Sequence, residues 1–298
     1  MLETEAAPQA GTEVGAWLRW AAAELAEVST SPRTDAELIV GCVLEVSRAQ
    51  LMTHPEWRLN APQCACATAL LNRRRAREPV AYLLGRQEFW GLTLKVSSAV
   101  LIPRPETEGV VERGLSLIAP RERPHILDLG AGSGAIALAL AHERPDACVV
   151  AVERDPAAAE VARTNSRRLG LPVDVRVGDW FAPLQADERF DLLVANPPYV
   201  VAGDPALQSA VACYEPAAAL YAAGGGLDAF RVIVAGAPRF LRDGAAVAFE
   251  HGVTQAQAVC ALLSDAGFAE VADDRDLAGL PRVAWARWIQ PQCRRVAD

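Results

Sequence analysis

The chain has 298 residues, 51% hydrophobic and 22% charged, enough apolar residue to bury the core of one large domain or two smaller ones. Its formal net charge of −8 argues against a protein that lives on bulk phosphate contacts, which need a basic surface. The seven cysteines (Cys42, Cys64, Cys66, Cys148, Cys213, Cys260, Cys293) are odd in number without a Cys-x-x-Cys pair, and the four histidines are far apart, so free thiols and no metal are expected.

Residues 1–15 carry Glu3, Glu5 and Glu13, with no Lys or Arg before Arg19 and no apolar h-region, unlike a signal peptide. No uncharged apolar run reaches transmembrane length, so the expected location is cytoplasmic, away from membranes. Val14, Trp17, Leu18, Ala21, Leu25 and Val28 recur at helical spacing behind Thr12 as a cap, and Asp35 to Val46 repeats the pattern. Asn60-Ala61-Pro62 opens a third helix to about Arg77, which makes residues 1–82 a small helical bundle. Its Arg73, Arg74, Arg75 and Arg77 read either as a solvated face complementing a helix C-terminus or as a handle for a partner bound to RNA.

Between Gln87 and Val96 the period becomes alternating, with a turn at Gly91, so residues 83–104 are expected to be a hairpin linker. Leu101-Ile102-Pro103-Arg104-Pro105-Glu106-Thr107-Glu108 then forms a proline-stiffened strap into the larger domain, expected over 105–298. Strand patterns at 125–129, 148–153, 173–177, 190–195 and 244–250 alternate with helical ones at 133–142, 156–169, 227–241 and 254–266. That alternation predicts an α/β fold with a mostly parallel sheet covered on both faces. Two final strands, at 270–272 and 283–289, follow without a helix between them, so the last should enter antiparallel.

Chemistry concentrates where strands end. Asp128-Leu129-Gly130-Ala131-Gly132-Ser133-Gly134 lies between a strand and an Ala/Leu-rich helix, where glycines let backbone amides approach a ligand at the helix start. Glu153, 23 residues after Gly130, ends the next strand as an acceptor for ribose hydroxyls. Dehydrogenases and methyltransferases share both features. Gly178-Asp179-Trp180 offers a carboxylate and an indole for an adenine, or Trp180 is plain packing. Asn196-Pro197-Pro198-Tyr199 ends the apolar run 190–195, and reads either as an ordinary Pro-rich loop or as a pocket for a planar –NH2 group.

Together the glycine loop, Glu153, Gly178-Asp179-Trp180 and Asn196 to Tyr199 resemble class I methyltransferases that use S-adenosylmethionine. More specifically, the chain is similar to HemK-type glutamine methyltransferases that modify bacterial peptide-chain release factors. The likeness includes Glu78 to Gly85, the Leu101 to Glu108 strap, Glu215-Pro216, Gly226-Leu227 and Glu250-His251-Gly252, and covers about residues 12–290. The strap is what most separates it from sister enzymes acting on a large-subunit ribosomal protein. Glu153 stands where many relatives have Asp, and Leu280 to Val283 keeps only part of the pattern.

The resemblance implies Asp128, Gly130, Ala131, Gly132, Ser133, Gly134, Glu153, Asp179, Trp180 and Asn196 as cofactor-binding residues. Asn196, Pro197, Pro198 and Tyr199 are implied for substrate binding and catalysis, with a monomeric enzyme, a release factor as partner and no direct nucleic-acid contact. Glu250 ends a strand on the ligand edge and reads either as a ligand-facing group or as a capping or loop brace; Glu215 has no assigned role. Alternatives are a ribosomal-protein glutamine methyltransferase, a nucleic-acid adenine methyltransferase, a cofactor sensor without turnover and a nicotinamide dehydrogenase.

Overall fold

The computed structural model describes residues 7–201 and 213–290, and Cys293 lies outside them. The chain divides into two units, Met1–Gly85 with Ser209–Tyr214, and Arg86–Gln208 with Glu215–Asp298. Among the described residues no helix is long and apolar enough to cross a membrane, and the described cysteines are free thiols.

The first unit is helical: α1 (Val14–Leu25), α2 (Pro32–Leu44), α3 (Arg48–Thr53), α4 (Ala61–Arg75) and α5 (Val80–Leu84). Trp17, Leu18, Leu25, Ile39, Leu59 and Leu71 are buried in one core. Capping boxes start α3 (Ser47 with Gln50) and α4 (Asn60 with Gln63), and Gly85 at φ 66° ends α5. Three of the four arginines are engaged within the unit: Arg73 with Glu78, Arg75 with Glu24, and the largely buried Arg74 with Asp35 at 2.7 Å. The Tyr214 hydroxyl donates to the Ala76 carbonyl at 2.8 Å.

The second unit opens with the hairpin of β1 (Arg86–Phe89) and β2 (Leu92–Lys95). Its turn residues Trp90 and Gly91 both hold positive φ (51° and 69°), as a two-residue I′ turn requires. Glu108 accepts the strained Trp90 N–H, and Glu143 accepts its indole N–H. Expected as a linker, the hairpin instead buries Phe89, Leu92 and Leu94 in the second unit's core. A 3₁₀ turn at Pro105–Thr107 leads into α6 (Glu108–Ile118).

Then follow β3 (His125–Leu129), α7 (Ala135–Glu143), β4 (Cys148–Glu153), α8 (Pro156–Leu169), β5 (Val173–Val177) and β6 (Phe190–Ala195). After α9 (Ala217–Leu220) and α10 (Asp228–Gly236) come β7 (Leu241–Glu250), α11 (Ala256–Asp265), β8 (Ala269–Arg275) and β9 (Pro281–Trp288). The seven-stranded sheet has the order β5-β4-β3-β6-β7-β9-β8, parallel except for β9, which is antiparallel to both neighbours. Alternate residues of its central strands feed two cores, Ile126, Leu192 and Val194 on one face and Leu127, Leu193 and Phe249 on the other. Burial on both faces explains why these strands read as predominantly apolar runs. β8 exceeds the expected three residues because its polar end has partners: Asp273 meets His251 and Asp274 meets Arg113.

Candidate active site

Strand pairing carries motifs far apart in sequence to one sheet edge. Leu129 pairs with Val152 on one side and Ala195 on the other, so Gly130 emerges between Glu153 and Asn196. Glu153 pairs with Val177, setting Gly178-Asp179-Trp180 beside it, and Phe249 pairs with Ala195, setting Glu250 beside Asn196. The chain winds outward from β3 in both directions, and such a switch point opens a ligand crevice at the carboxyl ends of the strands.

The glycine loop is held open by its own backbone. Gly130, Gly132 and Gly134 adopt φ of 75°, 54° and 82°, a region costly for residues with a Cβ. Gly130 and Ala131 donate to the Val152 carbonyl at 2.9 and 3.1 Å, and Gly132 donates to the Glu153 carboxylate at 2.9 Å. The second Glu153 oxygen accepts the Asp155 N–H at 2.9 Å. A Cβ on Gly132 would have nothing within 4 Å, whereas one on Gly134 would meet Leu138 and Ala162 at 3.2 and 3.3 Å. Behind the loop, fully buried Asn165 donates to the carbonyls of Ser133 and Lys95 and accepts the Lys95 N–H at 2.7 Å.

Asp128 is fully buried; one oxygen accepts the Ala137 N–H at 3.1 Å and the other has no partner among the described residues. Burial pushes its carboxyl up to about 7, the Ala137 hydrogen bond opposing and the Glu153 charge adding to the shift.

A cavity of about 600 Å³ lies over this edge, within the range of small-molecule sites. Of the expected residues, Gly130, Gly132, Glu153, Asp179, Trp180, Asn196 and Pro198 line it; Asp128, Ala131, Ser133, Gly134, Pro197 and Tyr199 do not. Trp180, at φ 47°, packs against the core and stands 3.8 Å from where a Gly130 Cβ would be. It thus packs against the core and also lines the cavity.

Asn196 is tied to the strap: its Nδ2 donates to Thr107 Oγ1 at 3.1 Å. Thr107 in turn donates to Glu250, whose other oxygen accepts the Tyr199 hydroxyl at 3.0 Å. Glu250 is buried, which raises its carboxyl above the usual range against the opposing Thr107 and Tyr199 hydrogen bonds and the Arg282 charge. Burial, with the Glu250 charge and hydrogen bond adding, also raises the Tyr199 phenol. Glu215 latches the strap from another side, accepting the Ile102 N–H at 3.1 Å and pairing with Arg104. His251 is fully buried between Asp273 and the Gly252 carbonyl, away from the cavity lining.

Residues 16–85 match the family model for the PrmC N-terminal domain, and residues 115–244 match that for the methyltransferase small domain. The chain is 45% identical over 272 residues to the release factor glutamine methyltransferase of Burkholderia pseudomallei, covering 89% of this chain and 95% of that relative. With the Escherichia coli enzyme of the same name the identity is 42% over 275 residues, covering 92% and 98%. The chain belongs to the release factor glutamine methyltransferase family. Its fold is the class I methyltransferase fold: a Pyrococcus furiosus methyltransferase matches with a TM-score of 0.50 and 17% identity over 75% of this chain and 98% of that one. Family membership sets aside the dehydrogenase reading.

In this release factor glutamine methyltransferase family member, several polar braces escaped the sequence patterns. Gln255 donates to the Tyr199 carbonyl at 3.1 Å and accepts the Gly252 N–H at 2.9 Å, clamping the end of the Asn-Pro-Pro-Tyr segment. Gly226, at φ 82°, lies so close that a Cβ would stand 2.3 Å from that same carbonyl. Thr107 and Asn165 complete the set. The available signal was weak: polar residues flanking a motif, each with a partner fixed only by the fold.

Proposed function

We propose that this family member transfers a methyl group from S-adenosylmethionine to the side-chain amide nitrogen of a glutamine in bacterial peptide-chain release factors. The observation that carries this is the convergence of Gly130, Glu153 and Asn196 on three adjacent strand tips around one cavity. S-adenosylmethionine, when bound, supplies an electrophilic methyl on a sulfonium that departs as a neutral thioether. The residues fit such a ligand: the loop is open at Gly132, each Glu153 oxygen keeps a lone pair for a ribose hydroxyl, and Asp179 and Trp180 offer an acceptor and an aromatic face for adenine.

A carboxamide nitrogen is a poor nucleophile because its lone pair is delocalised into the carbonyl. Asn196 Oδ1 and the Pro197 carbonyl would accept its two N–H groups, and the Tyr199 ring would pack against the amide plane. Held so, the nitrogen pyramidalises as the new N–C bond forms and the C–S bond breaks. Its proton, acidified by methylation, then leaves to water, so no strong base is required. Positioning of this kind contributes on the order of 7–11 kcal/mol. The helical unit, residues 1–82 in the sequence reading, would recognise the release factor, a cytoplasmic protein, and the acidic chain would act as a monomer without direct nucleic-acid contact.

Methyl incorporation from labelled S-adenosylmethionine into a release factor, a large-subunit ribosomal protein and DNA, measured side by side, tests this reading. Label entering the release factor alone is expected; preferential labelling of either other substrate would replace it.

A further inference from the structure

Thr107 occupies the N-cap position of α6, where a threonine hydroxyl ordinarily accepts from the helix backbone, yet it makes no side-chain cap. The residue is buried, and its hydroxyl lies between Glu250 and Asn196 Nδ2. A hydroxyl has one proton to give. Glu250 accepts that proton on one oxygen and the Tyr199 hydroxyl proton on the other. Thr107 Oγ1 is then left solely as an acceptor, and only the –NH2 side of the Asn196 amide can face it.

We propose that Thr107 and Glu250 are positioning residues that fix the rotamer of the Asn196 amide, committing its Oδ1 to accept from the substrate nitrogen. This rests on the proposed amide methylation, for which an inverted Asn196 would present a donor to a donor. It also accounts for the strap being latched through Glu215, since Thr107 must be delivered to β6 and β7 from a segment separate from the sheet. Tyr199 is held by the same side chain, so one buried carboxyl group sets both ends of the Asn-Pro-Pro-Tyr segment.

The test compares Thr107→Val, which keeps the shape and removes the hydroxyl, with Thr107→Ser, which restores it, using full-length protein, S-adenosylmethionine and a release factor. Thr107→Val should lower kcat by roughly tenfold to a hundredfold, the scale of a misplaced contact, with an unchanged Kd for S-adenosylmethionine by calorimetry. Thr107→Ser should recover most of the loss. Equal losses in both variants, or wild-type kcat in Thr107→Val, would overturn the assignment. Should Thr107→Val not fold, Glu250→Gln decides: its amide can donate to Thr107 and free the hydroxyl proton for Asn196 Oδ1, so kcat should fall while cofactor binding holds, and unchanged kcat would overturn it. A wild-type enzyme that binds S-adenosylmethionine but methylates no release factor would defeat the underlying reading itself, an outcome distinct from an active wild type with an unaffected Thr107→Val.

Discussion

At the scale of single residues, Asp128 and Glu153 show how one sheet edge gives two carboxylates different behaviour. Asp128 is sealed in with one oxygen unpartnered among the described residues, so its proton is bound more tightly in the folded chain than in the unfolded one. A raised acid pKa makes stability fall as pH climbs through the window from 3.8 to about 7, because ionisation is resisted only in the folded state. Asp128→Asn should therefore lose less stability than wild type across that window. Parallel curves of melting temperature against pH would show that Asp128 ionises freely. Glu153, at the cavity wall with both oxygens on backbone amides, is placed to serve a ligand. Glu153→Ala should weaken S-adenosylmethionine binding by about 1.5–3 kcal/mol, the scale of a hydrogen bond to a charged group. An unchanged dissociation constant by calorimetry would remove it from the ribose role.

At the scale of elements, what could be read from the sequence depended on how local the determinant was. Strands β3 to β6 were legible to the residue: β3, β4 and β6 are short, mostly apolar and mostly buried, and the edge strand β5 alternates valines with Asp174 and Arg176. The helices α3 and α5, six and five residues long, were missed because neither spans two turns, too little for a 3.6 period to show. Glu250 read either as a ligand-edge group or as a capping or loop brace, and Glu215 was left open, since their partners Thr107 and Ile102 lie more than a hundred positions away and are brought near only by the sheet and strap. Gly226 gives an element-scale prediction: at φ 82° and with no space for a Cβ beside the Tyr199 carbonyl and Gln255, Gly226→Ala must displace one of them. Transfer to the release factor should drop while S-adenosylmethionine affinity is retained, and full activity in Gly226→Ala would mean that the clamp does not position the site.

At the scale of the whole molecule, the chain has separate cores for its helical unit and for the unit that begins at Arg86. Composition and alternation sufficed to foresee a helical bundle followed by a mostly parallel sheet. The sheet's strand order, which puts Gly130 between Glu153 and Asn196, depends on crossover direction and was not foreseen. If the helical unit recognises the release factor, a chain beginning at Arg86 should bind S-adenosylmethionine as the full protein does and lose at least about tenfold in kcat/KM on an intact release factor, a deficit of roughly 1.4 kcal/mol. Undiminished kcat/KM would assign recognition to the catalytic unit.

The most direct test of amide methylation at the Asn-Pro-Pro-Tyr segment is mass spectrometry of a release factor incubated with S-adenosylmethionine and either wild-type protein or Asn196→Ala. Wild type should add one methyl group, localised by fragmentation to a glutamine side chain. Asn196→Ala should bind S-adenosylmethionine yet transfer more slowly by at least about 2 kcal/mol of transition-state stabilisation, the scale of one oriented polar contact. A methyl on any other residue type, or an Asn196→Ala enzyme as fast as wild type, would contradict the account.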